Sequence, residues 1–163
     1  MPFCYGIVPT VATFLSTSGT ANSEMPNLVI RQGGTTAGRN VDVTMITVGG
    51  RANAATSISG IEWRVRRWTT SGSGGTAVTP QPRRIGTTAS TSAASSETTI
   101  TAGSVSGAYV LVLNCGAGGP GYWMARNQDA VLTLEGDGRD EFDINSITTP
   151  TSLPVTCGAE IEE

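Results

Sequence analysis

Lysine and histidine are both absent from this 163-residue chain, so all ten of its basic residues are arginine. Without histidine the chain has no side chain that titrates unperturbed near neutral pH, and it lacks the commonest metal ligand. Most hydrolase triads and most zinc sites are thereby excluded. Without lysine, the glycine-rich stretch Gly72–Thr76 ("GSGGT") cannot be a Walker loop, which needs a lysine and a helix to hold phosphates. The chain continues as "AVTPQP", a strand ended by prolines, so the glycine stretch reads as a loop between strands.

Cysteine is scarce as well. Cys4, Cys115 and Cys157 are an odd number without CxxC spacing, and they read as small buried thiols, with a Cys115–Cys157 disulfide as the alternative. No apolar run approaches the roughly 18 residues of a membrane helix. The opening "MPFCYGIVPTVATFL" has no positive n-region and is interrupted by Pro2 and Pro9. No secretory signal and no membrane partner are expected, and synthesis in a cytoplasm is.

What the chain does have is 39 serines and threonines and 21 glycines. The bias toward small and β-branched residues favours strands and turns over helices. Apolar content of 38% with only 14% charge separates it from disordered chains. The length fits one domain, which at this size buries about 70% of its unfolded surface and needs no disulfide or metal staple. A net charge of −3 argues against a general nucleic-acid binder. An uncharged, hydroxyl-rich surface suits a protein that packs against neighbours.

Residues 1–24 carry Phe3, Tyr5, Ile7, Val8, Phe14 and Leu15 without helical or strand period, and no charge before Glu24. They read as an extended arm reaching a neighbouring subunit, or else as a strand and loop packed on their own domain, with residues 25–163 forming that single domain. Strand signals begin at Pro26. "NVDVTMITVGG" places Val41, Val43 and Met45 on one face and then shifts phase to Ile46 and Val48, as a β-bulge does. "IEWRVRRW" puts Ile61, Trp63 and Val65 on one face, and Glu62, Arg64, Arg66 and Trp68 on the other.

Residues 83–99 are polar and low in complexity, and read as a surface loop with a helical turn near Ser92–Glu97. "SGAYVLVLN" is apolar on both faces and is expected to be a central, buried strand. Leu132 and Leu134 alternate, as do Phe142 and Ile144; Val155, Cys157, Ala159 and Ile161 form the cleanest alternation in the chain. Together these predict an all-β fold, a jelly-roll-like sandwich or small barrel of about eight to ten strands.

Few motifs point to chemistry. Arg64, Arg66, Arg67 and Trp68 suggest a cationic face for stacking on bases, but Glu62 shares the face and the chain is acidic. A salt-bridge face toward another subunit, or an exposed face within this one, fits better. Asp42, Glu135 and Asp143 are candidate cross-strand partners. The acidic run Glu135–Asp143 ("EGDGRDEFD") offers oxygens for a divalent cation without the EF-hand pattern, and reads first as a hairpin turn. Thirteen acids supply no pair singled out for glycoside cleavage.

Four motifs in order resemble a family. They are "IEWRVRRWTTSGSGGTAVTPQP", a Thr/Ser/Ala-rich segment, "GYWMARNQDAVLTLEG" and a terminal strand closing on "EIEE". Over roughly residues 26–163 the chain is similar to small β-rich tailed-phage virion proteins, especially head decoration (cement) proteins. The resemblance implies a jelly-roll-like domain without catalysis or cofactor, forming homotrimers that brace the major capsid protein on the capsid surface. Phe3, Tyr5, Ile7, Val8, Phe14 and Leu15 would then be apolar anchors, and Arg64, Arg66 and Arg67 would form orienting ion pairs. The missing lysine and the apolar first 24 residues depart from the family's usual pattern. Alternatives are a receptor- or glycan-binding head-fibre or tail module using exposed Trp68, Tyr122 and Trp123, and a neck or tail structural protein.

Overall fold

A computed structural model of the chain describes residues 3–9, 13–14, 24–31, 40–50, 60–68, 70, 72–86, 89–90, 93–96, 105–116, 120–135, 141–147 and 154–163. The fold is an all-β sandwich of two antiparallel sheets. Its strands are β1 (Cys4–Ile7), β2 (Thr13–Phe14), β3 (Glu24–Arg31), β4 (Val41–Gly50), β5 (Gly60–Trp68), β6 (Thr76–Val78) and β7 (Gln81–Pro82). They continue with β8 (Ala93–Ser96), β9 (Val105–Gly116), β10 (Gly121–Met124), β11 (Leu132–Leu134), β12 (Glu141–Ile147) and β13 (Pro154–Glu162). One short 3-10 turn, Gln128–Ala130, interrupts them.

The seven-stranded sheet runs β10-β4-β13-β1-β7, with β11 also on β4 and β2 on β13. The six-stranded sheet runs β6-β8-β3-β12-β5-β9. Both inner faces follow the period of two that a half-buried strand requires. Val155, Cys157, Ala159 and Ile161 of β13 are all buried, as their alternation predicts, and so are Ile61, Trp63 and Val65 of β5. They meet Leu28, Ile30, Phe142 and Ile144 in one core. Each such aliphatic or aromatic side chain contributes about 1.5–3 kcal/mol by leaving water. The predicted phase shift in β4 is a bulge, but it falls before Met45 and not after it: Glu160 pairs with Met45 and Ile161 with Val43, leaving Thr44 as the extra residue and Met45 outside the buried core.

Three expectations are corrected. The described part of the expected arm contains β1, which lies between β13 and β7 and places Tyr5 and Ile7 in the chain's own core. A strand of four residues is too short to announce its period within an apolar stretch. The helical turn near Ser92–Glu97 gives way to β8, because pairing with β3 and β6 overrides a weak local preference. The cysteines, by contrast, are the buried or half-buried thiols that their spacing suggested, and Cys115 and Cys157 form no disulfide. Cys115 accepts a hydrogen bond from the Trp63 indole N–H at 3.3 Å, and burial pushes the Cys157 thiol up to about 12.

The third correction concerns position within the sheet. β9, expected at the centre, is the outermost strand of its sheet, and Val110 and Val112 stand exposed. β12, whose Phe142 and Ile144 alternate with polar residues, sits between β3 and β5 and is buried along all seven residues.

Candidate functional site

The outer face of the six-stranded sheet holds the charges that β12 carries inward. Asp143 is opposite Arg66 in the β5 register and opposite Val29 in the β3 register. Its Oδ2 accepts from Arg66 Nη2 at 3.3 Å, and its side chain has no exposure to water. Two residues earlier, Glu141 Oε1 lies 3.2 Å from Arg31 Nε, while Glu141 Oε2 accepts from the Gly72 backbone N–H at 3.1 Å. Trp68 and Val29 are fully buried beside these pairs. Asn145 Nδ2 donates to the Arg64 carbonyl, and Asn27 Oδ1 accepts from the Ser146 N–H at 2.8 Å. Burial pushes the Asp143 carboxyl above its usual range, against the opposing Arg66 charge.

Toward the sheet edge the same face becomes accessible. Arg64 pairs with Glu62, lies 4.7 Å over the Tyr109 ring and donates to the Tyr109 hydroxyl at 2.8 Å. Tyr109, Val110 and Val112 on β9 are all exposed. Across the sandwich, β10 presents Tyr122 and Met124 to solvent and turns Trp123 onto the core.

At the opposite edge of the seven-stranded sheet, β7 runs into the turn Arg83–Gly86. The Arg83 backbone N–H donates to the Cys4 carbonyl at 3.0 Å, and its guanidinium pairs with Glu160. That guanidinium covers Gly6, where an added Cβ would come to 3.0 Å from Arg83 Nε and push the arginine side chain aside. Burial, reinforced by the negative charges of Glu160 and Glu162, pushes the Cys4 thiol up against the opposing Arg83 charge. Ile85 is wholly exposed at the tip of the turn.

The expected interface residues therefore divide. Tyr5 and Ile7 are core residues and cannot anchor a neighbour, whereas Phe3 and Val8 are exposed at the ends of β1. Phe14 belongs to β2, paired with β13, and its side chain lies outside what the structure describes. Leu15 lies outside the described residues. Arg66 is committed to Asp143, one of its three candidate partners, and Arg64 to Glu62 and Tyr109. Arg67 is half-buried opposite Phe142.

Of the acidic run, Glu141 and Asp143 hold arginines; residues 136–140 lie outside the description. Among the described residues no three acids, cysteines or histidines gather as a metal site. Trp68, expected among exposed rings, is buried on the polar face because Arg66, Glu141 and Asp143 surround its strand end.

Sequence reasoning passed over Arg31, Arg83 and Ile85. Only Ile85 left a signal, as the single large apolar side chain in the polar stretch 83–99. No family model matches the chain, and neither a curated protein nor a solved structure does.

Proposed function

We propose that the chain is a non-enzymatic structural subunit of a tailed-phage head, a decoration protein that forms homotrimers and braces the major capsid protein. The observation that carries this reading is where the apolar and charged side chains stand. Charges are drawn inward into the Arg66–Asp143 and Arg31–Glu141 pairs. Large apolar side chains stand outward along the sandwich's margins, at Val8, Ile85, Tyr109, Val110, Val112, Tyr122 and Met124. Such a distribution suits a protein whose work is to bury surface against neighbours. Added interface resists strain in a shell without chemistry, and permanent interfaces bury about 2,000 Å² or more.

Quantitative mass spectrometry of purified particles tests the proposal. Hundreds of copies per particle, in fixed ratio to the major capsid protein, are expected. A handful of copies would assign the chain to the neck or tail instead, and absence from the particle would overturn the reading. The glycan-binding alternative keeps one supporting observation, the 69% exposure of Tyr122. It loses Trp68 to burial, and Trp123 is turned onto the core.

A further inference from the structure

The turn after β7 is built to stand out from the sandwich. Pro82 precedes it, Arg83 is tied down at its backbone and at its guanidinium, and Gly86 closes it at φ +82° with no atom within 4 Å of where a Cβ would be. Positive φ is the region glycine tolerates and other residues avoid. The result is a held tip rather than a loose one, with Arg84 exposed and Ile85 at 102% relative exposure. From Thr76 to Gly86 the chain has no acid, so the tip is cationic as well as apolar.

The other edge of the same sheet is its complement. Tyr122 and Met124 project from one face of β10, with exposures of 69% and 61%. Met124 is in register with Met45, and Met45 with Glu160, the acid that Arg83 of the same chain already pairs. Asp42 and Glu162 are paired in register on the neighbouring strands of this sheet. The sheet order β10-β4-β13-β1-β7 sets tip and face four strand spacings apart, about 19 Å. Two different, complementary patches at opposite edges join copies either reciprocally across a two-fold axis or head to tail, and only the head-to-tail contact closes into a ring of three when the rotation allows.

We propose that the Arg84–Ile85 tip of one copy docks on the Tyr122–Met124 face of the next, and that this contact builds the trimer. The proposal rests on reading the chain as an assembling shell subunit, and names the contact that reading leaves open. Ile85 covers Tyr122 and Met124, and Arg84 approaches Asp42 and Glu162 on the adjoining strands. Phe3, which continues β1 next to the β7 turn, widens the apolar side of the tip.

Light scattering on the purified full chain across a concentration series tests it with two surface variants, Ile85→Asp and Tyr122→Asp. Both positions are exposed, so neither change disturbs the core. Wild type is expected at three times the 16.8 kDa chain mass, and each variant alone at one chain mass. An equimolar mixture of the two is expected at two chain masses, because the variant with an intact tip meets the variant with an intact face. Variants that keep the wild-type mass, a mixture that stays at one chain mass, or a wild type at one or two chain masses would each overturn the contact. A monomeric wild type that is still present in hundreds of copies on particles would overturn the contact alone and leave the shell reading standing.

Discussion

β12 and β9 lie in the same sheet, one strand apart, and each occupies the position its sequence suits least. β12, "EFDINSI", alternates polar and apolar residues, yet it is buried on both faces. β9, with "AYVLVLN" at its heart, carries apolar residues on both faces, yet it is the outermost strand of the six-stranded sheet. The difference lies in their neighbours. β12 is flanked by Arg66 on β5 and Arg31 on β3, so its carboxylates enter the interior already paired. β9 has β5 on one side, and among the described residues no strand of its sheet on the other. Its Val110 and Val112 are therefore left at the margin, where a second protein gains most by covering them.

Breaking the β12 side of this contrast should give the largest effect. Asp143→Ala leaves the half-buried Arg66 guanidinium without its carboxylate, and should cost about 3–5 kcal/mol in denaturant unfolding. Replacing both partners, Arg66→Met with Asp143→Leu, should return most of that loss, to within about 1 kcal/mol of wild type. If the double variant is as unstable as the single one, the pair does more than neutralise itself.

Acid titration sharpens the same point. The Asp143 carboxyl is raised in the folded state by burial, so the fold prefers its protonated form. Its stabilising contribution is therefore full below the ordinary value of 3.8 and is lost as pH rises through the folded value. Measured as a difference, the stability of Asp143→Asn should move upward relative to wild type over that window, and level off above it. A difference independent of pH would mean that Asp143 ionises as freely in the fold as out of it.

On the β9 side the expected effect is small. Val112→Ser removes an exposed methyl surface and should change the stability of the isolated chain by no more than about 0.5 kcal/mol in the same unfolding measurement. A loss of about 2 kcal/mol, the size expected for a buried side chain, would show that β9 is covered within the chain itself.

The two strands also mark how far the sequence could be read. Alternation in β13 and β5 identified their inner faces, and the phase shift in β4 identified its bulge, because those patterns depend only on the period of a strand. The two-sheet architecture follows from strands at short intervals. Position within a sheet depends on which strands pair, and a run such as "AYVLVLN" looks the same at the centre or the edge. Asp143 was within reach as a partner for the β5 arginines because opposite charges on one strand face invite pairing. Arg31 and Glu141 were not, since nothing along the chain joins them. Ile85 stood alone in polar sequence, and only the fold shows that it crowns a turn fixed by Arg83.

The central claim is that the molecule's interior is closed around β12 while its margins are left for other chains. Hydrogen–deuterium exchange, comparing the dilute chain with the chain on intact particles, tests it most directly. The β12 amides should be the slowest in both states and unchanged between them, while residues 83–86 and 109–112 and β10 should gain protection on the particle. Protection gained at β12, with those marginal segments unchanged, would contradict the account.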